Sequence, residues 1–227
     1  MGAALLQKQF EPVLGGHLNW QSLPAPERVR TGIPEVDAGA PLGPGGLPRG
    51  CLTEIFGPAS SGRTSLLLSI LAQATARDEV CALVDAEDSF DPDSAARAGV
   101  RLERLIWVRS AHHTEHALKA ADLLIQGGGF GLVAMDLGDT PLLTARRISL
   151  TSWFRLRRAV EHTPTVLVTV AQQSNARTCA SLMLECSRER VWWGSPSTLP
   201  LLRGMRIRAK STHRSEVCSP VFTATAI

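Results

Sequence analysis

Short apolar runs recur along the chain, and each ends in polar or glycine-rich residues. The runs predicted to form strands are residues 51–56, 80–84, 105–108, 131–135 and 165–170. Segments with helical character lie between them, at 64–74, about 114–126 and about 145–162. Alternating strands and helices are typical of a parallel sheet covered on both faces. We therefore predict an α/β fold with a twisted, mostly parallel sheet, helices on both faces and a C-terminal antiparallel extension.

The segments outside this alternation are less regular. Residues 22–50 are rich in proline and glycine and are predicted to be a loop-rich approach to the first strand. Residues 173–200 are predicted to be irregular around a short helix at 178–186. In the helix predicted at 145–162, four residues at intervals of four are expected to face the sheet, namely Ile148, Ser152, Leu156 and Val160. Its arginines are expected mostly to face elsewhere; these are Arg146, Arg147, Arg155, Arg157 and Arg158.

One glycine-rich turn joins the first predicted strand to the first predicted helix. It reads Gly57, Pro58, Ala59, Ser60, Ser61, Gly62, Arg63, Thr64, followed by Ser65. A strand, a glycine loop and a helix in this order create a nest of N–H groups at a helix N-terminus, which binds phosphate. The spacing fits the phosphate-loop pattern G-x-x-x-x-G-K-[ST], with Thr64 placed to hold Mg²⁺ through its hydroxyl. The alternative is a glycine-rich turn that binds nothing.

Arg63 stands where this pattern requires lysine. A guanidinium is planar and wide, whereas an ammonium is a compact point charge, so the exchange is not conservative. We expect ATP binding to be retained or weakened and turnover to be poor.

Carboxylates follow two of the predicted strands. Asp136 ends the apolar run 131–135, as a Mg²⁺-binding aspartate beside a phosphate loop does. Glu87 follows the run 80–84, where a carboxylate at the end of a strand can orient a water molecule over a phosphate. The alternatives are an ordinary aspartate at a strand end and a capping acid in a loop.

The order of these motifs resembles the RecA recombinase core. The resemblance rests on residues 31–37, 45–50, the loop at 57–64 and residues 85–92, and it extends from about 29 to 172. It implies that Glu87 activates the attacking water, that Gln172 senses the γ-phosphate and that Asp91 lies beside the adenine. Ser94 stands where that family has an aromatic stacking partner.

Several features depart from RecA. The segment between Asp136 and the fifth predicted strand is short, and no glycine-rich second DNA loop is recognisable after Gln173. Residues 1–28 are predicted to be a short N-terminal arm and residues 29–227 the RecA-like domain, an organisation that argues against RecA-type filaments. A shortened RecA-like chain with an altered loop is similar to ImuA. That similarity implies an ImuB-like, polymerase-like repair protein as a partner.

Charge is distributed unevenly along the chain. Residues 1–145 contain 11 basic and 17 acidic residues, whereas residues 146–227 contain 13 and 4, which gives −6 and +9 within a net charge of +3. Such asymmetry indicates nucleic acid or an acidic partner. With the resemblance to RecA, the candidate nucleic acid is single-stranded DNA. Arg206, Arg208 and Lys210 alternate onto one side of a predicted strand, and Arg203 lies just before them. The alternative is a solvated edge strand protected by charge.

Three smaller features remain. His112 and His116 are four residues apart, but no third metal ligand is nearby, and Thr114 is predicted to cap a helix. Trp192 and Trp193 are predicted to be one core and one exposed side chain. The five cysteines contain no C-x-x-C pair, Cys51 and Cys81 are expected to be buried thiols, and neither a membrane span nor a secretory signal is recognisable. We therefore expect a cytoplasmic protein.

Three functions remain open from the sequence. The first is a DNA-repair accessory factor of the SOS damage-tolerance type that binds ATP and Mg²⁺ weakly or structurally. The second is an active DNA-dependent ATPase of homologous recombination. The third is a protein-interaction scaffold with an empty loop.

Overall fold

Strands and helices alternate through most of the structure, a computed structural model that describes residues 27–38, 45–194, 201–211 and 219–225. The strands are β1 (Arg28–Val29), β2 (Leu47–Pro48), β3 (Leu52–Phe56), β4 (Cys81–Asp85), β5 (Leu105–Arg109), β6 (Leu132–Leu137), β7 (Val166–Ala171), β8 (Leu182–Trp193), β9 (Leu202–Ser211) and β10 (Val221–Thr225). The helices are α1 (Pro34–Asp37), α2 (Arg63–Ala76), α3 (Pro92–Arg97), α4 (Thr114–Gly127), α5 (Leu142–Arg146) and α6 (Leu150–Val160). Two 3-10 helices lie at Leu102–Arg104 and Arg177–Cys179.

The main sheet has eight strands in the order β10-β9-β8-β3-β7-β6-β4-β5, and β1 and β2 form a separate antiparallel pair. Strands β8, β3, β7, β6, β4 and β5 run parallel. Strands β9 and β10 are antiparallel to their neighbours. The predicted α/β class, the parallel order and the antiparallel extension are confirmed.

Each face of the sheet has its own apolar core. On one face, α2 contributes Leu66, Leu67, Ile70 and Leu71 to a cluster with strand residues such as Ile55 and Val168. On the other face, Trp153 and Leu156 of α6 join residues of α4 against Val133, Met135 and Leu167. Alternate strand residues enter opposite cores because successive side chains point to opposite faces. None of the described helices has the length and apolarity needed to cross a membrane.

The helix predicted at 145–162 is instead two helices, α5 and α6. The Ser149 hydroxyl accepts a hydrogen bond of 3.1 Å from the Ser152 amide and caps the start of α6. Leu156 and Val160 are buried as predicted, whereas Ile148 and Ser152 are only partly buried and Trp153 is fully buried in their place. Four of the five arginines are exposed and Arg157 is half-buried, as expected for a helix that packs on a sheet.

The prediction of a short helix at 178–186 is also wrong. A 3-10 helix covers only Arg177–Cys179, and β8 begins at Leu182. Leu182, Leu184 and Cys186 are buried at alternate positions because β8 lies beside β3. Strand pairing here outweighs local helix preference.

Other details differ from the sequence-based predictions. Cys51 precedes β3 and is only partly buried, whereas Cys81 is buried as expected. Trp193 is exposed and Trp192 is half-buried. The boundary predicted at residue 28 falls within β1, and residues 1–26 of the predicted arm, like Cys218, lie outside the described residues. The division into arm and domain stays a prediction.

Candidate nucleotide-binding site

The predicted phosphate loop lies at the C-terminal ends of neighbouring parallel strands. Phe56 of β3 pairs with Ala171 of β7, and Leu137 of β6 pairs with the same residue. Helix α2 begins at Arg63, and the Leu66 amide is the first to bond back, to the Gly62 carbonyl at 3.0 Å. The earlier N–H groups of a helix have no partner within it, so they are available to an anion.

Both loop glycines are required by the neighbouring strands β8 and β9. A side chain at Gly57 would overlap the Cys186 carbonyl of β8, and one at Gly62 would overlap the Ile207 side chain of β9. Only Gly62 has a left-handed conformation, with φ of 90°, so at Gly57 the requirement is close approach rather than backbone freedom. Strands β8 and β9 therefore pack directly beneath the loop, a contact that the sequence pattern did not predict.

Arg63 is buried at 6% exposure. Its guanidinium donates hydrogen bonds to the main-chain carbonyls of Gly57 and, at 2.6 Å, Gly138. An ion pair of 3.6 Å links it to Asp139. The side chain thus ties the start of the phosphate loop to the residues that follow β6.

Asp136 lies beside this arginine near the end of β6. Its carboxylate accepts a hydrogen bond of 2.7 Å from the Gly138 amide. Burial, with the neighbouring negative charge of Asp85, raises the pKa of Asp136 from 3.8 to about 6, although the Gly138 amide and Arg63 lower it. A partly desolvated carboxylate is stabilised by a cation, so Asp136 suits a Mg²⁺ ligand.

The loop that carries Glu87 is organised by Asp85. Asp85 pairs with Asp136 across β4 and β6. Its buried carboxylate accepts hydrogen bonds from the Phe90 amide at 2.9 Å, the Ser89 amide at 3.2 Å and the Trp107 indole at 3.3 Å. Glu87 comes two residues later, and its Oε2 lies 2.9 Å from Nδ1 of His112. The role of Asp85 as a loop anchor was not predicted from the sequence.

A small cavity of about 230 Å³ connects several predicted site residues. Its lining includes Arg63, Thr64, Asp91, Ser94 and Asp136. Thr64 is exposed in the first turn of α2. Asp91 caps α3 and accepts a hydrogen bond of 3.1 Å from the Ser94 amide, and bonds from Ser94 lower the pKa of Asp91. The remaining loop residues, Pro58, Ala59 and Ser60, are exposed, and Ser61 is buried.

Gln172 directly follows β7, next to the phosphate loop. The Gly57 amide donates to the carbonyl of Ala171 at 3.2 Å, which holds the loop and the end of β7 together. Beyond Gln172, buried Glu54 of β3 accepts bonds from the Ser174 hydroxyl and from the amides of Asn175 and Ala176, at 2.7, 2.7 and 2.8 Å. Glu54 is therefore an anchor for the chain after β7, and sequence reasoning missed it because strand glutamates are usually solvated.

The basic residues of β9 form one exposed row. Arg206, Arg208 and Lys210 alternate with buried Ile207 and Ala209. The edge-strand alternative is wrong because β9 lies between β8 and β10. Arg208 forms an ion pair with Glu189 of β8, whereas no described residue forms an ion pair with Arg206 or Lys210. Arg203 is also exposed on β9, and its side chain lies near Gly194.

The predicted cap at Thr114 is wrong. The N-cap of α4 is His113, without a side-chain cap hydrogen bond, and Thr114 is the first helical residue. His112 lies outside the helix with φ of 65°, so it does not share a helix face with His116. Among the described residues, no group of three or more His, Cys, Asp or Glu could hold a metal ion.

Comparison with known proteins agrees with this geometry. Residues 20–144 match the model of the RecA N-terminal domain. The chain is similar to the protein RecA of Acinetobacter baylyi, with 38% identity over 131 residues, which are 58% of this chain and 37% of that protein. It is similar to the protein RecA of Rickettsia massiliae, with 33% identity over 160 residues, 64% of this chain and 46% of that protein.

The chain thus aligns with less than half the length of these curated relatives. A crystal structure of the RadB recombinase has the same fold, with a TM-score of 0.61 and 20% identity, covering 86% of this chain and 94% of that one. The family model covers more than half of the chain, including the phosphate loop and Asp136. The chain belongs to the RecA N-terminal domain family.

Proposed function

We propose that this protein is a RecA-like DNA-repair factor that holds ATP and Mg²⁺ weakly or as a structural ligand. It acts in SOS damage tolerance with single-stranded DNA or with a translesion polymerase complex. The observation that carries the proposal is the position of Arg63, whose buried guanidinium is hydrogen-bonded to the carbonyls of Gly57 and Gly138.

The residues of the site suit a phosphate and a divalent cation. The N–H groups at the start of α2 would hold the phosphates, as helix N-termini do. Thr64 and Asp136 would hold Mg²⁺, and Asp91 would lie towards the base. Bound Mg²⁺ would supply positive charge that offsets the burial of the Asp136 carboxylate. These assignments combine the resemblance to RecA with the shared cavity lining of Thr64, Asp91 and Asp136.

Arg63 is the residue that does not suit rapid turnover. Its donors already bond to two main-chain carbonyls, and an arginine's planar fork cannot be repositioned as a lysine ammonium can. A phosphate-stabilising cation must be aimed at the charge that develops in the transition state. We infer that Arg63 supports the architecture of the loop more than it supports hydrolysis.

The proposed protein partner rests on the resemblance of the sequence to ImuA. We propose an ImuB-like, polymerase-like repair protein as that partner. The row formed by Arg206, Arg208 and Lys210 is the proposed contact for single-stranded DNA or for an acidic surface of the partner, because exposed cations on a sheet attract polyanions.

Two alternatives each have an observation in their favour. Glu87 lies at the end of β4, in a loop held by Asp85, which favours an active DNA-dependent ATPase. The cavity of about 230 Å³ beside the loop is small, since ligand pockets usually exceed about 300 Å³. Its size favours a nucleotide-free interaction scaffold.

ATP hydrolysis by the purified chain, with and without an oligothymidylate, separates these functions. The proposal predicts turnover close to background in both conditions and an increase of at least about tenfold in Arg63→Lys. Rapid turnover by the natural protein that rises with DNA and falls in Glu87→Gln, but not in the control Glu103→Gln at an exposed position, would establish the ATPase instead. Recovery of a polymerase-like protein from damaged cells tests the partner, and it should be undiminished by Thr64→Ala, which removes the proposed Mg²⁺ ligand at an exposed position.

A further inference from the structure

A second cleft lies away from the phosphate loop, between the N-terminal ends of α4 and α6. Its volume is about 490 Å³. We call it the histidine cleft and define it by His112, His113, His116, Arg147, Ser149 and Ser152, which contribute to its lining. Glu115 is the carboxylate among the lining residues. The lining therefore contains imidazole, guanidinium and hydroxyl groups, which can donate hydrogen bonds, and only one carboxylate.

The start of α4 leaves hydrogen-bond donors unused in this cleft. Its N-cap residue, His113, makes no side-chain cap hydrogen bond. The first amide that bonds back is that of Ala117, to the His113 carbonyl at 3.0 Å. The amides before it are left without helical acceptors and carry the positive end of the helix dipole. An anion at this end of α4 would satisfy them.

Thr114 gives an independent indication of a ligand. Its side chain is 8% exposed and lines the cleft. Its buried hydroxyl has no hydrogen-bond partner within the described structure, although buried hydroxyl groups are normally paired. By contrast, Ser149 at the start of α6 caps its own helix and lies 3.0 Å from the Ser152 hydroxyl. The unmet hydrogen-bonding capacity is concentrated at the α4 side.

We propose that the histidine cleft binds a phosphate group, carried either by a small phosphorylated molecule or by the backbone of a single-stranded nucleic acid. Arg147 is exposed and supplies a planar pair of donors that suits phosphate oxygens. His113 and His116, with ring centroids 4.8 Å apart, supply two further donors. Leu118 and Ile148 line the same cleft and give it an apolar part.

The cleft is also linked, through one residue, to a predicted catalytic residue. His112 contributes to its lining, and Nδ1 of the same ring lies 2.9 Å from Oε2 of Glu87. A ligand that draws Nδ1 of His112 away from this contact would therefore release Glu87 from it. This coupling rests on the proposed role of Glu87, whereas binding of phosphate in the cleft does not.

The test follows the ring signals of the histidines by NMR in the full chain, with no ATP present. Inorganic phosphate and a short oligothymidylate are titrated separately into the natural protein, into Arg147→Gln and into Arg158→Gln. Arg158 is exposed on α6 and is absent from the cleft lining, so it is the matched control. Single histidine-to-glutamine variants assign the signals.

The proposal predicts saturable shifts of the His113 and His116 rings, with affinity at least about tenfold weaker in Arg147→Gln and unchanged in Arg158→Gln. Tighter, salt-dependent binding of the oligothymidylate would identify nucleic acid as the source of the phosphate; equal or tighter binding of inorganic phosphate would identify a small molecule. The absence of saturable shifts with both probes, or equal affinity in Arg147→Gln, would overturn the proposal. Because ATP is not added, either result leaves the proposed nucleotide site to be tested separately.

Discussion

The guanidinium of Arg63 donates a hydrogen bond of 2.6 Å to the main-chain carbonyl of Gly138. This bond joins the first residue of α2 to the segment that follows β6. The same side chain bonds to the Gly57 carbonyl, so one buried cation links both sides of the candidate site. The residue at the lysine position of the pattern is therefore a structural tie.

Removing this tie should destabilise the fold. Arg63→Ala would leave the carbonyls of Gly57 and Gly138 without the guanidinium that bonds to them, and unpaired buried polar groups cost about 1–3 kcal/mol each. We expect the free energy of unfolding, measured in urea, to fall by about 2–4 kcal/mol. The exposed control Arg158→Ala should change it by less than about 0.5 kcal/mol; similar losses in the two variants would contradict the account.

Asp136 should make stability depend on pH. The fold raises its pKa from 3.8 to about 6, so the folded state favours the protonated form. The ionised carboxylate therefore destabilises the folded protein. This destabilisation is absent below pH 4, grows as pH rises from about 4 to 6, and is complete above pH 6. Asp136→Asn should therefore stabilise the protein by about 1–3 kcal/mol at pH 7.5 and leave it nearly unchanged at pH 4.

Chemical unfolding at both pH values measures this difference. Mg²⁺ at pH 7.5 should stabilise the natural protein and have little effect on Asp136→Asn, because the cation offsets a charge that the variant lacks. An equal effect of Mg²⁺ on the two proteins would show that Asp136 is not a ligand.

Gly62 should tolerate substitution poorly because of Ile207. A Cβ at Gly62 would overlap Ile207, whereas one at Gly129 meets nothing within 4 Å, and both residues have left-handed φ values of 90° and 83°. Gly129→Ala therefore measures backbone strain alone, about 1 kcal/mol. Gly62→Ala should lower the free energy of unfolding by at least about 1 kcal/mol more, and Ile207→Ala in the same protein should recover part of that difference. Equal losses of unfolding free energy at the two glycines would show that the contact with Ile207 does not restrict Gly62.

The basic residues of β9 should contribute unequally to the binding of single-stranded DNA. Arg208 is paired with Glu189, so Arg206 and Lys210 are the cations more available to phosphate. Replacing both with alanine should lower the slope of log affinity against log salt by about 1.4, at roughly 0.7 per contact. Arg208→Ala should change the slope by less. Fluorescence anisotropy with an oligothymidylate measures both slopes, and salt-insensitive binding would exclude an electrostatic contact.

The sequence predicted the parts of the site that are contiguous. Strand β3, the loop and α2 follow one another between Leu52 and Ala76, so hydrophobic pattern and loop spacing were sufficient to identify them. The partners of Arg63 and Gly62 were not predictable in this way. Gly138 and Ile207 are distant in the sequence and reach the loop only through sheet order, which single-chain patterns do not determine.

Two errors have local physical causes. Residues 182–186 are rich in Leu, Met and Glu, which favour helices, but pairing with β3 makes the segment a strand. The break between α5 and α6 depends on the Ser149 cap. This capping residue is visible in the sequence, but the apolar positions at intervals of four continue on both sides of it and predicted one uninterrupted helix. Local propensity gave way to tertiary pairing in the first case and to a capping hydrogen bond in the second.

Equilibrium titration with a fluorescent ATP analogue in the presence of Mg²⁺ tests the central claim most directly, with the natural protein and Arg63→Lys measured side by side. The account predicts saturable binding by the natural protein, weaker than or equal to that of Arg63→Lys. ATP turnover by the natural protein should stay close to background, because the guanidinium of Arg63 is hydrogen-bonded to main-chain carbonyls. The absence of binding by both proteins would contradict the account and leave a RecA-like fold without a nucleotide.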